Sequence, residues 1–286
     1  MTRKHLGQFI LVGFLWGVPY LFMRVAVREW DPSVVVFGRV VIGAAILFPI
    51  AFRRGVMKDT ILGIKWIVAY AIFEMCGPWY LITHAETKLN SGLAGLLVAT
   101  VPIWSTIYSS LAGDKTVWHA KRLMGIVIGF IGLVLIVGIE TISGAADAFS
   151  VFQVVLAAIL YSTAMAIILK GMPHGDGVAI NAIAMAITAI IFAPAALTNL
   201  PETMPSFSAT ASLVGLGVLS TGLAFMIYFN LVREIGQARG SLVTYLNTAF
   251  AVVLGVVFLN ERLTIGIIAG LPLVLIGSYF ASRKPA

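Results

Sequence analysis

From Ser241 to Leu259 the chain carries no charged side chain, and neither does the stretch from Leu93 to Leu111. Each is about as long as a helix that crosses the hydrocarbon core of a bilayer, which takes ~20 apolar residues at a rise of ~1.5 Å per residue. The residues after each run repeat as well. Asp114–Lys115 comes after the first and Glu261–Arg262 after the second. The next apolar runs hold Gly125 with Gly132 and Gly270 with Gly277, each pair seven residues apart. Most letters differ between the copies, yet the pattern returns after about half the chain. That marks a duplicated unit rather than a solenoid.

The whole chain supports this reading. Its 286 residues are 60% hydrophobic and 11% charged, where soluble globular proteins carry about 25% charged residues. Roughly ten spans use about two thirds of such a length, which leaves short connections and no separate soluble domain. The net charge of +7 does not indicate a nucleic-acid partner, because the basic residues sit at span ends and form no single stripe. Cytoplasmic loops of membrane proteins are enriched in just this way. The single cysteine, Cys76, excludes an intrachain disulfide and a multi-cysteine metal site. No two of His5, His84, His119 and His174 have metal-ligand spacing, so neither a metal nor a cofactor is expected. Met1–His5 followed by apolar residues looks like the start of a signal peptide. No small-x-small cleavage site comes after it, and Trp16, Pro19, Tyr20 and Arg24 fit a retained first span.

The turn and charge signals predict ten helices, at about 7–27, 33–52, 62–84, 90–112, 121–139, 150–170, 178–199, 209–232, 240–259 and 264–282. Breaks fall at Asp31-Pro32, Arg53–Gly55, Lys88–Ser91, Ser143-Gly144, Gly171–Gly177, Pro201–Ser208, Gly236 and Asn260–Arg262. With the N-terminus in the cytoplasm, one side carries Arg3, Lys4, Arg53, Arg54, Lys58, Lys65, Lys115, Lys121, Arg122, Lys170, Arg233, Arg239, Arg283 and Lys284. The other carries only Arg24, Arg28, Lys88 and Arg262, while Arg39 lies within a span. Both termini are therefore expected in the cytoplasm. Five helices per half make the second half enter the membrane from the opposite side. The expected fold is two inverted repeats, residues 1–144 and 145–286, with a site near mid-membrane where they meet.

Particular residues also match a family. Trp16-Gly17 with Tyr20, Phe37-Gly38-Arg39, the small residues from Asn90 leading to Pro102, and Asn260-Glu261-Arg262-Leu263-Thr264 followed by Gly270 and Gly277 resemble the EamA-type members of the drug/metabolite transporter superfamily. The resemblance covers nearly the whole chain; Asp114 stands where the family's first copy has Glu. It implies export or exchange of small metabolites, often amino acids, across a bacterial inner membrane, and it leaves the substrate open.

Depth along the helices selects candidate residues. Glu74 lies about twelve residues into the third span, near the bilayer centre. An intramembrane carboxylate is costly and is a functional candidate by default. It can hold a substrate ammonium group, a proton, or both in alternation; the alternative is a structural carboxylate, protonated or paired with Arg39, which lies about one turn outward of the centre of the second span and within side-chain reach. Trp16, Tyr20, Trp79, Tyr80, Tyr161 and Tyr245 are candidate lining for an aromatic cavity, against the plainer alternative of packing and interface anchoring. Trp16 and Tyr161 occupy equivalent places in the two halves and are expected to face each other. Among Ser162, Ser220, Thr221, Tyr245 and Asn247, interhelical hydrogen bonding is the plain reading. Asn247 could also take a substrate carboxylate while Glu74 takes its ammonium. His84 and Glu86 read as a solvated helix end. Pro78, four residues after Glu74, can free a carbonyl near Glu74. The spacings Gly13/Gly17, Gly125/Gly129 and Gly266/Gly270 permit close helix approach, within the chain or in a weak homodimer.

No Walker loop, HExxH, GxSxG or CxxC motif is present, so nothing argues for an integral membrane enzyme. The leading expectation is a secondary transporter that exports or exchanges amino acids or similar metabolites by alternating access, with proton coupling as one energy source. The alternatives are a sugar or nucleotide-sugar carrier and an uncoupled facilitator. Its expected partners are a small-molecule substrate and the lipid bilayer.

Overall fold

Most of the apolar runs begin at a polar residue whose side chain accepts the first free N–H groups of the helix. Asp31 accepts the Ser33 N–H at 2.8 Å and is followed by Pro32, whose missing N–H costs nothing at a first turn. Asp147 accepts from Ser150 at 2.9 Å, and Asp176 from Val178 and Ala179 at 2.9 and 3.0 Å. Ser206 accepts from Ala209 at 3.3 Å. Each cap stabilises its helix by about 1 kcal/mol.

The computed structural model describes residues 2–111, 113, 115–142, 146–235, 240 and 243–282. Asp114, Ser143, Gly144, Gly236, Arg239, Ser241, Arg283 and Lys284 lie outside the described residues. The described residues are helical, with no strand among them. The long segments are α1 Arg3–Ala26, α2 Pro32–Arg53, α3 Ile64–Ala85, α4 Ser91–Leu111, α5 Ala120–Ile142, α6 Ala148–Gly171, α7 Gly177–Thr198, α8 Phe207–Ile235, α9 Val243–Leu259 and α10 Ile265–Ser282. Among the described residues, seven helices (α1–α4 and α6–α8) are long and apolar enough to cross a membrane; α9 and α10 are shorter apolar helices. Leu123, Met124, Val127, Ile131 and Val134 stand exposed along α5, a surface that suits lipid rather than water.

Two of these helices change pitch midway. In α3, Ile72–Cys76 is a π turn, and the Gly77 N–H reaches back to the Ile72 carbonyl. Pro78 explains it: without an N–H it cannot bond the Glu74 carbonyl four residues earlier, and the ladder shifts by one. In α8, Leu216–Leu223 is a longer π segment. Helix α4 breaks at Ala99–Thr100, just before Pro102, between Ser91–Val98 and Val101–Leu111.

Helices α5 and α10 pack most extensively, followed by α3 with α6 and α2 with α7, and then by α1 with α9 and with α8. Between α5 and α10 the contact is backbone to backbone. A Cβ on Gly277 would strike the Gly129 and Gly125 backbones, and one on Gly125 would strike the backbone at Ala281. Gly13 and Gly17 likewise meet Leu246 and Phe250 of α9. Small residues let these pairs approach closely, so these glycines serve contacts inside the chain. Two buried clusters result. One holds Leu89, Leu93, Leu96 and Leu97 near the start of α4; the other holds Leu47, Ile67, Met75 and Met185 between α2, α3 and α7. Tyr161 packs against both.

Candidate functional site

Between the clusters lies a cavity of about 1390 Å³. Its deep wall is built from α1 (Trp16, Tyr20), α2 (Arg39), α3 (Glu74, Trp79) and α6 (Tyr161), with Tyr228 of α8 and Asn247 of α9 completing it. Its mouth is lined by Arg54 and Asp59 after α2, by His174 and Asp176 between α6 and α7, and by Arg233 near the end of α8. No residue of the connections at the opposite end (27–31, 86–90, 199–206 and 260–264) is among its lining. It is therefore a pocket open at one end of the bundle.

Local pitch sets the chemistry at the bottom. The π turn carries Glu74 at its centre, and Glu74 is partly exposed to the cavity. Among the described residues its carboxylate makes no hydrogen bond or ion pair, while Tyr70, Tyr161 and Tyr228 lie within its electrostatic range. Arg39 is buried and committed elsewhere. Its Nε donates to the Thr221 hydroxyl at 2.8 Å, and its guanidinium carbon sits 3.7 Å from the centroid of the Trp79 ring. Pairing of Glu74 with Arg39, one of the two readings drawn from sequence, is thus not what is found: Thr221, on the π segment of α8, takes the arginine. The cavity floor holds a carboxylate and a guanidinium, each apart from the other and walled by aromatic rings.

The sequence-selected residues Glu74, Trp16, Tyr20, Trp79, Tyr161, Tyr245, Asn247 and Arg39 all line the cavity. Tyr80 does not. It packs on His84 and Phe192, with centroids at 6.0 and 5.7 Å, because adjacent helical residues point about 100° apart and Trp79 holds the inward position. Trp16 and Tyr161 are not a ring pair; Trp16 packs on Phe225 at 5.6 Å and Tyr228 at 4.5 Å. Ser162 bonds the Val101 and Ala158 carbonyls at 3.1 and 3.0 Å, the plain structural role. Asn247 accepts from the Thr248 hydroxyl at 3.3 Å.

Sequence reasoning missed Tyr70, Asn181, Tyr228 and Arg122, all of which line the cavity. Tyr70, four residues before Glu74, shares its helix face and could have been found by spacing. Its hydroxyl donates to Asn181 Oδ1 at 3.3 Å, and the Asn181 amide donates to the Gly177 carbonyl at 2.8 Å. Tyr228, two turns beyond Thr221, carried the same spacing signal.

Both ends of the bundle are tied by polar contacts. At the mouth, Arg54 pairs with Asp176 at 3.1 Å and donates to Asn230 at 2.9 Å, joining α2, α7 and α8. At the closed end, Glu261 accepts three hydrogen bonds from Ser91 and Gly92, and Arg24 donates to the Glu86 backbone carbonyl. Glu86 itself is fully buried, which corrects its reading as part of a solvated helix end. Burial, and next the charge of Glu261, push its carboxyl well above the usual carboxylate range, against the opposing pull of Arg24 and Arg39.

The EamA-like transporter family matches the chain twice, over residues 5–138 and 148–283. The chain is 27% identical to the "Uncharacterized transporter YoaV" of Bacillus subtilis (strain 168), over 99% of its own length and 100% of that protein. It is 24% identical to the "Uncharacterized inner membrane transporter YedA" of Escherichia coli (strain K12), over 98% and 93% of the two chains. A solved structure titled "Crystal structure of protein" superposes with a TM-score of 0.68 at 16% identity, covering 98% of this chain and 97% of that one; this likeness is of fold.

Proposed function

The chain belongs to the EamA-like transporter family of the drug/metabolite transporter superfamily, and from that premise we propose that it is a secondary transporter moving amino acids or similar amine-bearing metabolites by alternating access. The observation that carries this reading is the one-ended cavity with Glu74 free at its floor and Arg39 held apart from it. A zwitterion fits such a floor: Glu74 takes the ammonium group, and Asn247, Tyr245 or the outer nitrogens of Arg39 take the carboxylate. Trp16, Tyr161 and Tyr228 offer ring faces to a side chain or a cation.

We read the architecture as ten spans in two inverted five-helix repeats, residues 1–144 and 145–286. The double family match supports this, as does the occurrence of π segments in both α3 and α8, the third helix of each half. Lys and Arg counting puts the mouth and both termini on the cytoplasmic side, so this conformer is open inward. A relative named as an inner membrane transporter supports the inner membrane as the location.

The experiment is counterflow of labelled amino acids into liposomes holding the purified protein, with and without a pH gradient. Uptake of unmodified solute that Glu74→Gln abolishes is the expected result. No counterflow of any zwitterion, or a chemically altered solute, overturns the proposal. Arg122, a further arginine of the cavity lining, favours a second reading, an anionic sugar-phosphate or nucleotide-sugar carrier. Competition by such solutes and not by amino acids would select it.

A further inference from the structure

The closed end holds two carboxyl groups in opposite settings. Glu261, in the connection between α9 and α10, receives the Ser91 N–H at 2.7 Å, the Ser91 hydroxyl at 3.0 Å and the Gly92 N–H at 3.0 Å. These are the first donors of α4, so the positive end of that helix also faces it. Asn260 delivers it there through a left-handed backbone, φ 54°, and the Glu261 N–H is held by the Gly255 carbonyl at 3.1 Å. The contact joins residues 170 positions apart.

Glu86 has none of this. It caps the C-terminus of α3, the negative end of the helix, and is fully buried. Among the described residues neither of its carboxylate oxygens has a hydrogen-bond partner. Arg24 bonds its backbone carbonyl rather than its carboxylate. The groups facing it are Glu261, Arg24 and Tyr20 of α1, and Arg39 of α2. On its own helix, His84 Nδ1 lies 3.1 Å from Gln153 of α6, and beyond it Lys88 pairs with Asp147 at 3.8 Å.

We infer that Glu86 is the proton-binding group of a gate at the closed end, which Glu261 latches to α4, so that acid holds this gate shut. Burial without donors, beside a second carboxylate and at a helix C-terminus, favours the neutral form of Glu86 against the opposing pull of Arg24 and Arg39. Opening the gate admits water and lets it ionise. The shut gate therefore binds the proton more tightly, and its advantage is full below the usual carboxylate range. That advantage is lost as pH rises toward the elevated value that burial imposes. Glu261 also favours the shut gate, since its three donors stay satisfied only while α4 is latched. The inference rests on the alternating-access reading, because a bundle with no second opening has no gate here.

Ala26 is fully buried in the core cluster with Leu89 and Leu93. In full-length protein with Cys76→Ser, reconstituted in nanodiscs, Ala26→Cys would react with a water-soluble maleimide only when the closed end opens. His174→Cys, exposed at the mouth, corrects for thiol ionisation and reports folding. The corrected labelling rate is expected to rise with pH by up to about tenfold per unit, the limit for one proton. Glu86→Gln should make it slow and flat, and Glu261→Gln should raise it at every pH and end the rise at lower pH, because the charge that helps hold the Glu86 proton is gone. An unchanged pH profile in Glu86→Gln, or a rate that falls with pH, overturns the inference while leaving transport intact. No labelling at any pH, with His174→Cys reactive, overturns alternating access itself and the gate with it.

Discussion

Arg39 lays its guanidinium on the indole of Trp79, 3.7 Å from the ring centroid, while its Nε holds Thr221 on the π segment of α8. One side chain of α2 thus fixes α3 and α8, the two helices with altered pitch, at the cavity floor. Lysine keeps the charge but has no planar face to stack and no Nε to donate sideways. A desolvated cation–π contact is worth about 2 kcal/mol, or roughly thirtyfold in an equilibrium constant. Arg39→Lys is therefore expected to lower counterflow by about that factor and to lower the thermal midpoint. Wild-type flux in Arg39→Lys would remove the stack from the account.

Glu74 faces the cavity with no partner of its own among the described residues. Glu74→Gln keeps the shape and removes the charge. Hydrogen bonds to charged groups are worth about 1.5–3 kcal/mol, so the affinity for an ammonium-bearing substrate should fall by about tenfold to a hundredfold. Trp16 and Trp79 line the same cavity, and quenching of tryptophan fluorescence on titration reads the change directly. Equal affinities for substrate in both proteins, at every pH tried, would take Glu74 out of the binding site.

Pro78 should be dispensable for folding and needed for function. Pro78→Ala supplies the N–H that the Glu74 carbonyl lacks, and the turn at Ile72–Cys76 can return to α pitch. Removing the extra residue from that turn rotates the preceding part of the helix by about 100° and carries Glu74 off the cavity face. Thermal stability should hold or rise, since proline is the poorest helix former, while flux drops by about tenfold. Hydrogen exchange at Gly77, and at the amide that the substitution introduces, would report the restored ladder. Full activity with that ladder restored would show the π turn to be incidental.

What the letters disclose stops where local pitch begins. The apolar runs and the caps at Asp31 and Asp176 are local signals, and they mark helices that the structure contains. Depth counting puts Glu74 near the bilayer centre and Arg39 about one turn outward of it, and both line one cavity with Asn247. Direction is harder. Trp79 and Tyr80 are neighbours of similar chemistry, and a π turn just before them decides which one looks inward. Nothing in Leu216–Leu223 announces a π segment, so the partner of Arg39 could not be read from its spacing. Glu86 sits at a helix end, where charge is usually solvated; its burial comes from α1 and from the connection after α9, far away in sequence.

The α5–α10 seam gives a prediction with its own control. Gly277 abuts the backbone of Gly129 and Gly125, so any Cβ there meets main-chain atoms that cannot swing aside. Gly138, on the same helix α5, would meet nothing within 4 Å. Overpacking a tight contact costs about 1–3 kcal/mol, whereas replacing an open helical glycine by alanine gains up to about 1 kcal/mol. Gly277→Ala should therefore lower the unfolding midpoint in detergent, and Gly138→Ala should hold or raise it. The two substitutions act on the same helix pair and differ only in whether the added atoms have room. Equal shifts from both would mean that α5 and α10 do not meet through their backbones.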